Sequence, residues 1–286
     1  MRAIALNYSD RSLIEKDVPE PSLTGAGQVL FRVSEVGICG TDRDLASFRI
    51  LFPPAGDDYL VLGHECVGEV LAASTDVSKI RTGDLVVPLV RRPCAPACDW
   101  CGIERRDLCS SGKYTERGIV GAHGYFTELA VDSAADLVVV PEAIRSYAVL
   151  VEPLSVVEKA IGNAFRLHPG NPARALVLGA GAVGLLSAMG LAARGLAVTL
   201  TSLEPPGSER ARLAEAAGAS YETNPTGSFD IVIEAAGAPA AARTALAALG
   251  PAGVLVMLGV TKPVEVPMLQ LILRNQVVAG SVNAAP

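Results

Sequence analysis

The chain has 286 residues, of which 50% are hydrophobic and 19% charged, and its formal net charge is −6. This length is typical of two domains, and the composition indicates a globular protein, which excludes disordered and fibrous classes. Lys and Arg are scattered, so nothing marks a surface for nucleic acid or for an anionic membrane. No apolar run at the N-terminus is long enough for a signal peptide, which predicts a cytoplasmic protein.

The first part of the chain is predicted to be rich in β-strands. Short apolar or alternating runs, such as AIAL, VLFRVSEVGI and DLVVPLV, are separated by Gly, Pro and Asp. Such spacing is typical of an antiparallel, partly open barrel. We assign residues 1–165 to this domain, because the Pro- and Gly-containing stretch LHPGNP at 167–172 follows directly.

Two stretches of this domain carry possible metal ligands, GICGTD at 37–42 and LGHECVGEV at 62–70. Cys39 and His64 have side chains that bind Zn²⁺ well, and Glu65 or Glu152 would add a carboxylate. Adjacent side chains on a strand point to opposite faces, so His64 and Glu65 share an ion only where the backbone turns sharply. The alternative is an ordinary strand with a packed cysteine and a hydrogen-bonded histidine.

Six cysteines without a sign of secretion favour metal or thiol chemistry over disulfides. Four of them lie within RRPCAPACDWCGIERRDLC, at Cys94, Cys98, Cys101 and Cys109. Short loops at this spacing allow four thiolates to surround one Zn²⁺ and leave no position for a substrate, which predicts a structural site. The polar residues between the cysteines argue against four unrelated core thiols.

Residues 166–286 alternate between apolar strands and helices of about a dozen residues, which predicts a parallel, doubly wound sheet. The strands are ALVLG, AVTLTS, FDIVIEAAG, GVLVMLGV and QVVAGSV, and the helices are AVGLLSAMGLAARG, SERARLAEAAG and PAAARTALAALG. Residues 175–193 are uncharged and long enough for a membrane span. Three glycines within six residues favour a strand, a turn and a helix there instead.

The turn GAGAVG has glycines at Gly179, Gly181 and Gly184, with Ala182 and Val183 opening the following helix. Between a strand and a helix, this pattern predicts a site for the pyrophosphate of a dinucleotide. The next strand ends in Ser202, Leu203 and Glu204. A carboxylate at this position binds a ribose 2′-hydroxyl and repels a 2′-phosphate, so NAD is slightly favoured over NADP.

The order of GICGTD, GHE, the four cysteines, VEP and GAGAVG resembles the zinc-dependent medium-chain alcohol dehydrogenases. GHECVGEV, CSSGKYTERGI, LVEPLSVVEKAI and GSVNA are most similar to the microbial glucose (aldose) 1-dehydrogenases. The resemblance covers essentially the whole chain. It implies an α/β protein with a GroES-like catalytic domain and a dinucleotide-binding Rossmann domain, two Zn²⁺ per chain and NAD or NADP.

The resemblance also implies roles for individual residues of the catalytic domain. Cys39, His64 and Glu65 match the ligands of the catalytic zinc, and Glu152 matches a residue that binds the metal, or water and substrate beside it. Thr41 matches the hydroxyl that contacts the reacting oxygen and passes on its proton. Glu116 matches a carboxylate that binds sugar hydroxyls.

In the second domain, the resemblance implies that Asn283 lies near the nicotinamide and the sugar, with Ser281 on the cofactor side. Leu258, Gly259 and Val260 match the backbone that lines the nicotinamide. Relatives that prefer NADP carry an Asn-Arg-Arg-like run where this chain has Ser202-Leu203-Glu204.

The resemblance implies hydride transfer from C1 of an aldose such as glucose or galactose to NAD(P)⁺, giving the lactone. Glu65, Thr41 and Glu152 are the expected catalytic residues, and a homodimer or homotetramer is the expected assembly. Relatives continue for several tens of residues beyond GSVNA, so the helices that return to the catalytic domain are expected to be absent. Two alternatives remain open, an NAD-dependent polyol or secondary-alcohol dehydrogenase and a shortened paralogue that binds NAD and zinc without activity.

Overall fold

The structure, a computed structural model, describes residues 1–48 and 52–284. It contains two compact units, one from Met1 to Glu152 and the other beginning at Pro153. The helix α3, Val151–Leu167, runs across this division. The domain boundary predicted between residues 165 and 166 therefore falls near the end of that helix.

The first unit is built mainly from short strands. They are β1 Arg2–Asn7, β2 Ser12–Asp17, β3 Gln28–Gly37, β4 Tyr59–Val61, β5 Glu65–Ala73, β6 Leu85–Pro88, β7 Arg91–Arg92, β8 Thr115–Arg117, β9 Gly121–Ala122, β10 Leu129–Ser133 and β11 Leu137–Val140. Two short helices accompany them, α1 Gly40–Ala46 and α2 Asp99–Gly102. Three 3₁₀ segments lie at Arg106–Leu108, Ala134–Asp136 and Glu142–Leu150.

Five of these strands form an antiparallel sheet in the order β10-β3-β5-β6-β11. Its apolar face encloses a core around the fully buried Phe31 and Tyr125, which the alternating pattern of VLFRV predicts for β3. Two three-stranded sheets, β2-β1-β4 and β7-β8-β9, complete the unit. This arrangement is the partly open barrel that the sequence predicts.

The second unit is a six-stranded parallel sheet with helices between its strands. Its elements are β12 Arg174–Leu178, α4 Ala182–Ala192, β13 Ala197–Thr201, α5 Glu209–Ala216, β14 Ala219–Tyr221, β15 Phe229–Glu234, α6 Pro239–Ala248, β16 Leu249–Met257, α7 Met268–Leu273 and β17 Val277–Gly280. The sheet order β14-β13-β12-β15-β16-β17 reverses at β12, as in a doubly wound dinucleotide-binding fold. The predicted Rossmann architecture is confirmed.

Among the described elements that are absent from the sequence prediction are α3, β14 and α7. The helix α3 directly follows the 3₁₀ segment Glu142–Leu150, and its apolar positions Val157, Ala160, Ile161 and Ala164 pack into the core of the second unit. Strand β14 has three residues and exists because it pairs with β13. Within the described residues, no helix is long and apolar enough to cross a membrane.

The core of the first unit makes a test of the fold possible. Phe31 is 0% exposed, so we expect Phe31→Ala to lower the free energy of unfolding by about 3–5 kcal/mol through lost burial and an unfilled cavity. Urea unfolding monitored by circular dichroism measures this loss. Phe52, which is 50% exposed, provides the matched control, and Phe52→Ala should cost less than about 1 kcal/mol. Equal losses for the two variants would contradict the described core.

Candidate metal and cofactor sites

A backbone bend precedes the adjacent residues His64 and Glu65. Gly63 has a φ of +91°, a left-handed conformation that favours glycine. A Cβ atom at this position would also lie 2.9 Å from Val36 Cγ1 and 3.0 Å from the backbone nitrogen of Phe126. Strand β5 begins only at Glu65, so the two side chains do not alternate across a strand.

As a result, Cys39, His64 and Glu65 come together. Their ligand atoms all lie within 4.8 Å of one another, and His64 is only 4% exposed. A Cβ atom at Gly37, opposite Glu65 in the sheet, would collide with the carboxylate of Glu65. A thiolate, an imidazole and a carboxylate fit Zn²⁺, and three protein ligands leave a coordination position for a substrate.

Asp42 belongs to this site although sequence reasoning did not single it out. Its Oδ2 accepts a hydrogen bond of 2.8 Å from the backbone N–H of Cys39, and its Oδ1 lies 3.5 Å from His64 Nδ1. Burial alone would lower the pKa of His64, but Asp42 and Cys39 outweigh it and raise the pKa well above its ordinary value. A carboxylate behind the imidazole fixes the orientation of a ligating histidine. The position of Asp42 three residues after Cys39, at the start of α1, is the signal that sequence reasoning missed.

Three further predicted site residues lie in the same unit. Thr41 Oγ1 is 3.7 Å from Cys39 Sγ. Glu152 lies in the first turn of α3 and is not part of the three-residue ligand cluster. Burial raises the pKa of Glu152 to about 7; His64 opposes the rise, and Glu65 and Glu116 add to it. Glu152 is thus close enough to His64, Glu65 and Glu116 for their charges to act on its carboxyl.

The remaining cysteine of this region behaves differently. Cys66 is fully buried in the core beside Val70 and Tyr125, and burial raises the pKa of its thiol. It is therefore a packed side chain, and its neighbours His64 and Glu65 form the ligand cluster without it.

The four cysteines at Cys94, Cys98, Cys101 and Cys109 form a second cluster, with sulfur atoms all within 4.8 Å of one another. The sulfurs of Cys98 and Cys109 are 3.9 Å apart, close to the ~3.8 Å between thiolates that bind one Zn²⁺ tetrahedrally. Backbone N–H groups, that of Cys101 first, lower the pKa of the Cys98 thiol to about 5. The cluster fits a closed zinc site, although one helical turn, α2, lies between Cys98 and Ile103 where sequence reasoning expected only loops.

The glycine turn of the second unit has the geometry of a phosphate-binding loop. Gly179 has a φ of +108°, and a Cβ atom at Gly184 would collide with the carbonyl oxygen of Gly179. A Cβ atom at Gly181 would meet no atom within 4 Å, so space remains where a pyrophosphate would approach. Gly181 is the N-cap of α4, and Ala182 and Val183 are the first two residues of this helix. Their backbone N–H groups lie at the helix N-terminus, which favours an anion.

A polar cluster forms where β13 ends. The backbone N–H of Glu204 donates to Ser202 Oγ over 3.3 Å, and Tyr221 Oη lies 2.7 Å from the same hydroxyl and 2.6 Å from the carbonyl oxygen of Glu204. Arg210, in α5, lies 3.8 Å from Glu204 Oε1. The predicted acidic residue therefore stands at the strand end with a cation beside it.

Glu234, at the end of β15, organises the loop that follows β16. Its Oε1 accepts hydrogen bonds of 2.9 Å from Ala236 and Gly237, and its carbonyl oxygen accepts from Leu258 and Gly259 over 2.8 and 3.0 Å. Glu234 is fully buried, and this burial raises the pKa of its carboxyl. Sequence reasoning did not single it out, although a glutamate that ends an apolar strand is a visible signal.

The other predicted cofactor positions follow β16 and β17. Val260 comes directly after Gly259 and is largely exposed. The backbone N–H of Ser281 donates to Met257 over 3.0 Å, which continues the pairing of β17 with β16. Asn283 has a φ of +61° in the bend beyond β17.

Comparison with known proteins assigns the class. Residues 25–142 match the family described as "Alcohol dehydrogenase GroES-like domain", and residues 145–286 match "Glucose dehydrogenase C-terminus". The chain is 44% identical to glucose 1-dehydrogenase of Thermoproteus tenax, over 99% of this chain and 84% of that protein. Together with the fold, these matches define a zinc-dependent medium-chain dehydrogenase.

A solved structure supports a narrower assignment. Haloferax mediterranei glucose dehydrogenase, in complex with NADP, Zn and gluconolactone, superposes with a TM-score of 0.91 at 32% identity, covering 100% of this chain and 86% of that one. Glucose 1-dehydrogenase of Halobacterium salinarum is 37% identical over 99% of this chain and 85% of its own length. The chain belongs to the glucose 1-dehydrogenase family, which confirms the resemblance seen in the sequence.

The four-cysteine cluster can be tested by counting metal. We expect Cys98→Ser to lose one zinc per chain, because a hydroxyl is a much poorer ligand than a thiolate, and to lower the melting temperature by several degrees. Elemental analysis of the purified protein measures the zinc. Cys66→Ala, which removes a thiol outside both clusters, is the matched control and should leave the zinc content unchanged. An unchanged zinc content in Cys98→Ser would contradict a metal at the four cysteines.

Proposed function

We propose that the protein oxidises the C1 hydroxyl of an aldose, such as glucose or galactose, to the lactone while a hydride passes to NAD(P)⁺. The observation that carries this proposal is that the ligand atoms of Cys39, His64 and Glu65 all lie within 4.8 Å of one another. His64 and Glu65 are adjacent in the sequence, whereas Cys39 is distant from both. Membership of the glucose 1-dehydrogenase family supports the substrate class, since a relative binds gluconolactone together with NADP and Zn.

Cys39, His64 and Glu65 would hold the catalytic zinc, and Glu152 would bind it, or water and substrate beside it. Zinc bound there supplies Lewis-acid stabilisation of negative charge on a substrate oxygen, and a bound nicotinamide supplies the hydride acceptor. Thr41 contacts the reacting hydroxyl and takes up its proton for relay to solvent. The short separation between Thr41 Oγ1 and Cys39 Sγ supports this role.

The substrate's other hydroxyls would be oriented by Glu116 and Asn283. Glu116 is buried, and its charge raises the pKa of Glu152, which supports a position beside the reacting group. A carboxylate accepts hydrogen bonds from two adjacent hydroxyls, so it suits a sugar better than a simple alcohol.

The dinucleotide would bind at Gly179, Gly181 and Gly184, with the N–H groups of Ala182 and Val183 toward its pyrophosphate. Leu258, Gly259, Val260 and Ser281 would line the nicotinamide. Ser202 and Glu204 would receive the adenosine ribose. We propose NAD as the preferred cofactor, because the Glu204 carboxylate accepts a hydrogen bond from a 2′-hydroxyl and repels a 2′-phosphate.

Two zinc ions per chain and a homodimer or homotetramer complete the proposal. The four-cysteine cluster would hold the second zinc. Among the described strands, β17 lies at one edge of the sheet with Val278 partly exposed, which supports assembly through this side, because a strand edge invites pairing with another chain.

The proposed reaction is tested with Cys39→Ser and a panel of aldoses, polyols and secondary alcohols under NAD⁺ and NADP⁺. We expect the unmodified protein to oxidise aldoses best, and Cys39→Ser to lose at least about a hundredfold in kcat/KM with one zinc fewer per chain. Cys66→Ala is the matched control and should keep turnover. Full turnover by Cys39→Ser would overturn the assignment, and a preference for polyols would replace the aldose by the alternative substrate class.

The cofactor preference is tested separately with Glu204→Gln. Removing this charge should raise kcat/KM for NADP⁺ relative to NAD⁺ by about tenfold, because repulsion of a 2′-phosphate at a half-exposed position is worth about 1–2 kcal/mol. Initial rates with each cofactor at saturating sugar give the ratio. Glu209→Gln, a neutralised carboxylate in the first turn of α5, is the matched control. A ratio that stays constant in Glu204→Gln would remove Glu204 from cofactor selection.

A further inference from the structure

A buried ion pair connects Glu116 to the strand that precedes the four cysteines. Arg91 and Glu116 are direct partners in the antiparallel pair β7–β8. Arg91 Nε donates to Glu116 Oε1 over 2.9 Å, and Arg91 Nη2 lies 2.9 Å from the same oxygen. The two residues are only 6% and 7% exposed, so water scarcely screens the contact.

The guanidinium of Arg91 is held on its other sides as well. Its Nη1 donates to the carbonyl oxygen of Asp107 over 3.2 Å, and the Tyr114 ring lies 3.8 Å from its central carbon. Arg106 Nη1 donates to the carbonyl oxygen of Arg91 over 3.2 Å. Asp107 and Arg106 lie between Cys101 and Cys109, so the four-cysteine loop supplies part of the support for Arg91.

Strand β8 also adjoins the backbone bend of the catalytic metal cluster. A Cβ atom at Gly118, two residues after Glu116, would collide with the carbonyl oxygen of Gly63, next to His64. The Glu116 carboxylate is therefore held by Arg91, and the turn that follows its strand packs against the backbone next to His64. A buried ion pair adds little net stability, and its main physical effect is to fix where its charges point.

We propose that Arg91 is a positioning residue for the sugar: it fixes the Glu116 carboxylate in the orientation that accepts substrate hydroxyls, and the four-cysteine loop holds Arg91 in turn. This inference rests on the proposed aldose oxidation. Arg91 touches neither the metal ligands nor, in this proposal, the reacting atoms. Its loss should weaken sugar binding equally in the ground state and the transition state, which raises KM for the sugar and leaves kcat nearly unchanged.

The test is a double-mutant cycle of Arg91→Lys and Glu116→Gln with glucose and monodeoxyglucoses as substrates. Lysine keeps the charge but lacks the planar fork of donors, so Arg91→Lys should raise the glucose KM about tenfold with kcat and the cofactor KM within about twofold. In the Glu116→Gln background the same substitution should change the glucose KM by less than about twofold, because the two residues act through one contact. Arg91→Lys should also discriminate less between glucose and the deoxyglucose that lacks the hydroxyl bound by Glu116.

Arg92→Lys is the matched control, since Arg92 lies beside Arg91 in β7 and its Nη2 forms a partly buried ion pair of 2.6 Å with Asp132. It should lower the melting temperature without a selective rise in the sugar KM. If Arg91→Lys does not fold, Tyr114→Leu removes the ring against the guanidinium and should raise the sugar KM about threefold.

Two outcomes separate this inference from the function on which it rests. In the first outcome, the unmodified protein oxidises aldoses, but the effects in the cycle are additive or Arg92→Lys changes the sugar KM as much as Arg91→Lys does. This outcome overturns the role of Arg91 and leaves the proposed function standing. No turnover of any aldose by the unmodified protein overturns both.

Discussion

The catalytic unit depends on a close meeting of backbones at Gly63. A Cβ atom added at Gly118 or at Gly124 would collide with the carbonyl oxygen of Gly63. The same oxygen accepts a hydrogen bond of 2.9 Å from the backbone N–H of Tyr125. Glycines at these positions let the segments approach closely, and at Gly63 itself the missing Cβ allows the left-handed turn. Two consecutive side chains, His64 and Glu65, then reach the same point as Cys39, which a regular strand would forbid.

Several buried or partly buried charges in this unit occur in pairs. Asp42 faces His64 and Arg91 faces Glu116, both pairs almost withdrawn from water, and Arg92 faces Asp132 in a partly buried pair. Removing one partner would leave the other buried and uncompensated, which costs more than the pair contributes to stability. The pairs fix the orientation of the side chains they join, so the His64 imidazole and the Glu116 carboxylate are held in place for the ligand roles proposed above. The four-cysteine loop extends this support because Asp107 holds Arg91.

In the second unit, the glycine turn leaves room for an anion to approach the backbone. Gly179 turns the chain, Gly184 lets α4 pack on β12, and open space remains at Gly181. Glu234 connects two loops of this unit. Its buried carboxylate accepts hydrogen bonds from the loop after β15, and its carbonyl oxygen accepts hydrogen bonds from the loop after β16. The parallel sheet thus supplies generic anion binding, while individual side chains at its strand ends decide which nucleotide suits it.

The fold class, the two cysteine-containing motifs and the glycine turn can be predicted from the amino-acid sequence alone, because apolar periodicity, cysteine spacing and glycine placement are local properties. The sequence indicated Cys39, His64 and Glu65 as ligands but left open whether adjacent side chains would meet. Three features arise from contacts between distant segments and are seen only in the folded chain. They are the bend at Gly63, the support of His64 by Asp42, and the pairing of Arg91 with Glu116. The last two residues lie 25 positions apart, and their contact follows from the register of β7 against β8. Hydrophobic patterns do not specify such a register for strands this short, so long-range packing has to establish it.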